Sequence, residues 1–207
     1  MLRILIAIAL VALPAVPAHS APLAVRVVDS KGRPVRDAVV TVRPVGGAAK
    51  APAAGGRYTV SQKDMQFHPF VLVVPVGANV SFPNHDATKH HVYSFSAAKR
   101  FELKLFARDQ SRSVRFDKPG VVALGCNIHD AMHAFVVVTD SPWTARTDAQ
   151  GLVKFASTPN APAKVTVWHP YLRAPANQVA KAVAPGQRGD RFVLNLRAPP
   201  LPASHDY

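Results

Sequence analysis

Cys126 is the only cysteine in a chain of 207 residues, and it stands in the stretch Gly125-Cys126-Asn127-Ile128-His129-Asp130-Ala131-Met132. A histidine follows it by three positions and a methionine by six. Thiolate, imidazole and thioether in one short loop make a soft donor set, which suits copper in particular. A mononuclear electron-transfer copper site needs two histidines and one cysteine near a plane, with a weak axial methionine. The loop holds three of those four groups, so the other histidine must come from a different strand, and Asn84-His85-Asp86-Ala87-Thr88-Lys89-His90-His91 offers it upstream. Taken singly, each residue has an ordinary reading: a buried inert thiol, a solvated histidine, a methionine filling core space. Their coincidence in one loop favours a metal. Zinc could use the same thiolate and imidazoles, but methionine is a poor ligand for it. His133, next to Met132, competes as a fourth ligand, although strand alternation turns it the other way if a strand begins there.

The compartment bears on the thiol. Arg3 precedes an apolar run over residues 4–13, small residues follow, and Ala18-His19-Ser20 has the form of a cleavage site that would leave Ala21 first. Residues 1–20 therefore read as a secretory signal peptide, too short for a comfortable membrane span. No second long apolar stretch follows. The expectation is an exported chain, periplasmic or secreted and not transmembrane. Outside the cytoplasm a lone cysteine has no partner within its own chain. An intermolecular disulfide, an inert thiol or a metal thiolate remain.

Lys and Arg number 25 against 12 Asp and Glu, a formal charge of +13. Such an excess favours an acidic partner, and the lack of interleaved aromatics in the basic segments argues against nucleic acid. Lys99, Arg100, Lys104, Arg108, Arg112 and Arg115 fall close together and could steer an acidic protein. The plain alternative is a solvated basic face. No Ser–His–Asp or paired-carboxylate constellation stands out, so a hydrolase is not expected and no enzymatic activity is predicted.

Nineteen prolines and valine-rich runs divided by turn signals predict an all-β protein. Strands are expected at 38–42, 71–74, 79–82, 153–155, 165–168 and 192–196. A small-residue linker covers 45–56. Around the histidine pair, His91, Tyr93 and Phe95 should share one strand face, with His90, Val92 and Ser94 on the other. In the next strand Phe101, Leu103 and Leu105 alternate with Glu102 and Lys104. Two short strands hinge at Pro119-Gly120, and the run ending at Thr139 closes the block.

Two resemblances organise these elements. Phe82-Pro83-Asn84 leading to His90, and the Cys126–His129–Met132 loop entered from Phe116-Asp117-Lys118-Pro119-Gly120, resemble the cupredoxins, the plastocyanin-like blue copper proteins, over about residues 64–140. The segments at 25–44 and 144–170 are similar to two halves of a carboxypeptidase regulatory-like (transthyretin-like) β-sandwich. Together they imply a cupredoxin Greek-key β-sandwich over 58–140, inserted into or flanked by a second, Ig-like or transthyretin-like sandwich made of 22–57 plus 141–197. Residues 198–207 form a tail. Three consecutive units or one enlarged sandwich are the alternatives.

The cupredoxin resemblance implies one type 1 copper ion held by His90, Cys126, His129 and Met132, with His91 the alternative to His90. It further implies one-electron transfer with a redox partner protein. A copper chaperone or storage module, and an envelope binding module without redox work, are the competing function classes. This chain departs from the family's pattern in two places. His91 stands where a bracing asparagine is usual, and the two-residue gap between His129 and Met132 is short.

Overall fold

The computed structural model describes residues 20–47 and 50–199. The expected signal segment lies outside the described residues apart from Ser20, as does most of the expected tail. Two strands come first, β1 (Ser20–Asp29) and β2 (Val39–Pro44). Ten follow: β3 (Tyr58–Thr59), β4 (Ser61–Lys63), β5 (Gln66–His68), β6 (Val71–Pro75), β7 (Ala78–Pro83), β8 (His90–Ser96), β9 (Lys99–Phe106), β10 (Ser111–Phe116), β11 (Gly120–Gly125) and β12 (His133–Thr139). The chain ends with β13 (Thr144–Arg146), β14 (Leu152–Pro159), β15 (Ala163–Trp168), β16 (Gln178–Val183) and β17 (Gly189–Leu194), with one 3-10 turn at Pro175–Asn177. The protein is all-β.

Pairing sorts these strands into two groups. β1 lies between β14 and β17, and β2 pairs with β13 and β15, with β16 beyond β15. The first two strands thus find their partners more than a hundred residues downstream, and their apolar faces share one core that includes Val25, Val27, Val40, Val165, Val167 and Phe192. The intervening strands pair among themselves, in the orders β10-β7-β3 and β6-β12-β11-β8-β9. Their core holds Phe82, Phe106, Phe116, Val92, Val136, Cys126 and Met132.

Turn chemistry explains two of the connections. Asp29 Oδ1 accepts the N–H groups of Lys31 and Arg33 at 2.8 and 2.9 Å, and Asp148 Oδ1 accepts those of Gln150 and Leu152, both at 2.9 Å. Each turn needs a left-handed residue, supplied by Gly32 (φ 78°) and Gly151 (φ 67°). At Gly151 a side chain has no room, since a Cβ would stand 2.3 Å from the Val27 carbonyl.

β12 reads as a nearly continuous apolar run because both of its faces are covered. Ala134, Val136 and Val138 point into the central core. Phe135 and Val137 point the other way, into a cluster with Phe70, Val71 and Val73 that meets Val39 and Trp168 of β2 and β15. The outer faces of the two groups of sheets therefore pack on each other. Arg43 pairs with Asp140 across the same junction, and Ser141 Oγ donates to the Val42 carbonyl at 2.8 Å.

One sequence expectation changes. Leu105 was grouped with Phe101 and Leu103, but it is 50% exposed while Phe106 is buried. The β8–β9 register runs His90 to Phe106 and Val92 to Leu103, so β9 carries an extra residue there. A bulge of this kind swaps which side chains face the core beyond it. β3, the β4–β5 hairpin, β13 and β16 were not anticipated; most are short or polar and give little periodic signal.

Candidate metal centre

β8 begins at His90, and its pleat decides which histidine of the pair faces inward. His90, Val92 and Ser94 are buried on the core side, and Phe95 on the other side is exposed. The ring of His90 is fully enclosed, with Nδ1 4.0 Å from Cys126 Sγ. Its centroid is 5.1 Å from that of His129. One donor atom from each of His90, Cys126 and His129 lies within 4.8 Å of the others. His91 is placed elsewhere: its Nε2 bonds Glu102 Oε1 at 2.9 Å, and its Nδ1 is buried with no hydrogen-bond partner.

The loop that delivers His90 is organised by Asn84, itself fully buried. Its amide Nδ2 donates to the carbonyls of Thr88 and Phe106 at 2.9 and 3.1 Å, and its Oδ1 accepts the Asp86 N–H at 2.9 Å. Asn84→Ala should therefore lower stability by about 1–3 kcal/mol, the penalty for leaving buried polar groups unserved. Urea unfolding of the metal-free chain measures it, and an unchanged midpoint would mean that Asn84 does not organise the loop.

Asp86 then orients the ring. Its Oδ2 accepts from His90 Nε2 at 2.7 Å and from the Met65 N–H at 3.0 Å, while Oδ1 accepts the Asp64 N–H at 2.7 Å. Burial alone would raise the carboxyl's pKa, but the Met65 N–H, the His90 ring and the Asp64 N–H together outweigh it and hold it below the usual value. An ionised carboxylate accepts only, so His90 carries a proton on Nε2, and its Nδ1 faces the sulfur. Asn84 entered the sequence reading only as part of the Phe82-Pro83-Asn84 motif, with no role of its own, and Asp86 was not singled out. The Asp86–His90 spacing of four residues was the available signal, and it has no meaning until the loop's path is known.

On the other side, β11 ends at Gly125 and presents Cys126, which is 3% exposed and forms no disulfide. Gly125 has no room for a side chain, because a Cβ would stand 2.7 Å from Cζ of Tyr93. The Tyr93 ring thus lies against bare backbone next to the thiol. His129 and Met132 are joined by a turn in which the Met132 N–H donates to the His129 carbonyl at 2.9 Å. That turn spans the short two-residue gap and folds Met132 back into the core beside Cys126, where it is 1% exposed. His133 takes the opposite face: Nδ1 bonds the Ala131 carbonyl at 3.0 Å and Nε2 bonds Tyr171 Oη at 2.8 Å.

These donors fit a copper ion in kind. The set combines one thiolate source, two imidazoles and a buried thioether, set against an apolar core. Three or four donors about 2.0–2.3 Å from a common ion stand about 3.3–3.7 Å apart, and the observed donors, all within 4.8 Å of one another, would draw together by about 1 Å or less to reach that spread.

No protein-family model and no curated protein matches the chain. Solved structures do. A copper-containing nitrite reductase from Thermus scotoductus SA-01 is 27% identical over 47% of this chain, with a TM-score of 0.39. The match takes in 25% of the reductase, so the chain spans about a quarter of that protein's length. A reduced Cu(I) form of an amicyanin variant is 26% identical, covering 48% of this chain and 98% of its own, with a TM-score of 0.38. A purple cupredoxin from Nitrosopumilus maritimus is 20% identical over 40% of this chain and 99% of its own, with a TM-score of 0.36. These neighbours are cupredoxins. Each match takes in under half of the present chain.

Proposed function

We propose that the chain is an exported type 1 copper protein that carries single electrons, with His90, Cys126, His129 and Met132 holding one copper ion. The observation that carries this reading is the buried cluster of His90 Nδ1, Cys126 Sγ and a His129 nitrogen, with His90 fixed from behind by Asp86. Copper so bound would supply a one-electron couple between its two common oxidation states. The protein's part is to keep the donors still. Cys126 and His90 stand at the ends of paired strands, Asn84 and Asp86 lock the connecting loop, and the Phe82, Phe106 and Phe116 core behind them resists rearrangement. His129 is half-buried beside Ile128, which is 44% exposed, so its ring offers a path between the buried thiol and the surface.

We further propose that the central block, 58–140, is a domain inserted into the sandwich formed by 22–57 and 141–197, the latter transthyretin-like. The supporting observation is that β1 and β2 pair with strands beyond residue 140 while β3 to β12 pair among themselves. A redox partner of acidic surface fits the +13 charge. An export compartment, periplasmic or extracellular, fits the N-terminal segment. No helix among the described residues is long and apolar enough to cross a membrane.

Adding Cu(II) to the purified chain tests the site. The expected result is one equivalent bound, an intense thiolate-to-copper band near about 600 nm and a narrow copper hyperfine splitting. Weak absorption with ordinary hyperfine splitting would overturn the type 1 reading. A reversible couple with rapid self-exchange separates a carrier from a chaperone.

A further inference from the structure

We propose that Tyr171, which belongs to the flanking sandwich, is a positioning residue for the Cys126–Met132 loop: its hydroxyl holds the His133 ring, and the held ring sets how Met132 enters the site. The proposal gives the second sandwich a role in tuning the first.

The contact is specific. A carbonyl only accepts, so the bond from His133 Nδ1 to the Ala131 oxygen places the ring proton on Nδ1. Nε2, at the other side of the ring, forms a hydrogen bond with the Tyr171 hydroxyl at 2.8 Å. Burial raises the phenol's pKa, with Arg197 only partly opposing, so the hydroxyl keeps its proton. The His133 ring is therefore tied at one end to its own loop and at the other to the second sandwich.

Packing fixes the same two rings. Phe70 meets His133 edge-on at 5.5 Å and stacks against Tyr171 at 6.0 Å with an interplanar angle of 27°. Tyr171 is itself anchored at three points. Its N–H donates to His169 Nδ1 at 3.2 Å, and its carbonyl accepts the Arg197 N–H at 2.9 Å. The following residue, Leu172, is buried and closes a turn onto the His169 carbonyl at 3.0 Å. A rigid turn thus holds the hydroxyl in place.

The link to the site runs through one peptide unit. Met132 and His133 are adjacent, and strand alternation sends them to opposite faces, Met132 inward and His133 outward. Holding the outward ring and the Ala131 carbonyl fixes the backbone from which the thioether projects. Without the hydroxyl, the turn from His129 to Met132 keeps the bond from the Met132 N–H to the His129 carbonyl, and the His133 ring loses its hydrogen bond to the second sandwich.

Tyr171→Phe in the full chain removes the hydroxyl and keeps the ring stacked on Phe70. Metal-free hydrogen exchange is the first readout. The amide of Met132 should exchange on the order of tenfold faster, the local opening expected for one lost hydrogen bond. The amides of β15 should be unchanged. His133→Leu, which removes the bond from the other side, should give a similar acceleration, and the double variant no more than the larger single effect. Unchanged exchange at Met132, or effects that simply add, would overturn the proposal. The second readout rests on the copper reading above: in the Cu(II)-loaded chain, Tyr171→Phe should alter the band positions and the hyperfine splitting. A loaded variant with the wild-type spectrum would overturn the role in setting Met132. If the wild-type chain gives no type 1 spectrum, that reading fails on its own, and the metal-free exchange still decides the brace.

Discussion

Cys126→Ser should fold and show no intense thiolate-to-copper absorption. The sulfur is the one thiolate source in the chain, and a serine hydroxyl is neither ionised at neutral pH nor soft. Copper affinity should fall by more than about 100-fold, beyond the 10–100-fold typical of losing an outer partner. The fold should tolerate the change at a cost. Cys126 is 3% exposed in an apolar core, and an unserved buried hydroxyl costs about 1–3 kcal/mol, well inside the roughly 5–15 kcal/mol by which domains are stable. Cys126→Ala serves as the control that omits the hydroxyl. Absorption titration with Cu(II), alongside urea unfolding of each metal-free variant, separates ligand loss from unfolding. Survival of the intense band in Cys126→Ser would show that the thiol is not the ligand.

Asp86→Ala should weaken copper binding by about 10–100-fold while leaving every donor atom in place. The carboxylate accepts three hydrogen bonds, from His90 Nε2, the Met65 N–H and the Asp64 N–H. Without it, the His90 ring loses its fixed tautomer and the negative charge that raises its basicity. A less basic imidazole favours the oxidised metal less, so the reduction potential should rise. Asp86→Asn separates the two contributions. An amide oxygen in the Oδ2 place can keep the His90 and Met65 bonds, while the amide nitrogen then faces the Asp64 N–H and the charge is gone. Asn should therefore fall between wild type and Ala in affinity. Equal affinities for all three proteins, measured by competition with a copper chelator, would show that Asp86 plays no part in the site.

The donor types were legible because they are covalent facts: one cysteine, with His129 and Met132 at fixed distances along the chain. The preference for His90 over His91 came from the family resemblance and not from the residues themselves. Adjacent residues of a strand face opposite sides, so a single step of register sends one ring to the thiol and the other to Glu102. Phrase-level patterns placed β8, β11 and β12 well, since each alternates or runs apolar over six or seven residues. Leu105 defeated the same rule because the bulge in β9 is set by pairing with β8, which a single strand's sequence does not record.

By itself, then, the sequence determined an all-β chain with a soft donor set in one loop. Local composition and turn chemistry suffice for those features. The tertiary structure decided which imidazole meets the sulfur and how a two-residue gap still buries Met132. It also placed Asp86 and Asn84 behind His90, and brought Tyr171 to His133 from 38 residues away. These depend on which strands pair and which sheet faces meet, and hydrogen bonds across such distances leave no periodic trace in the chain.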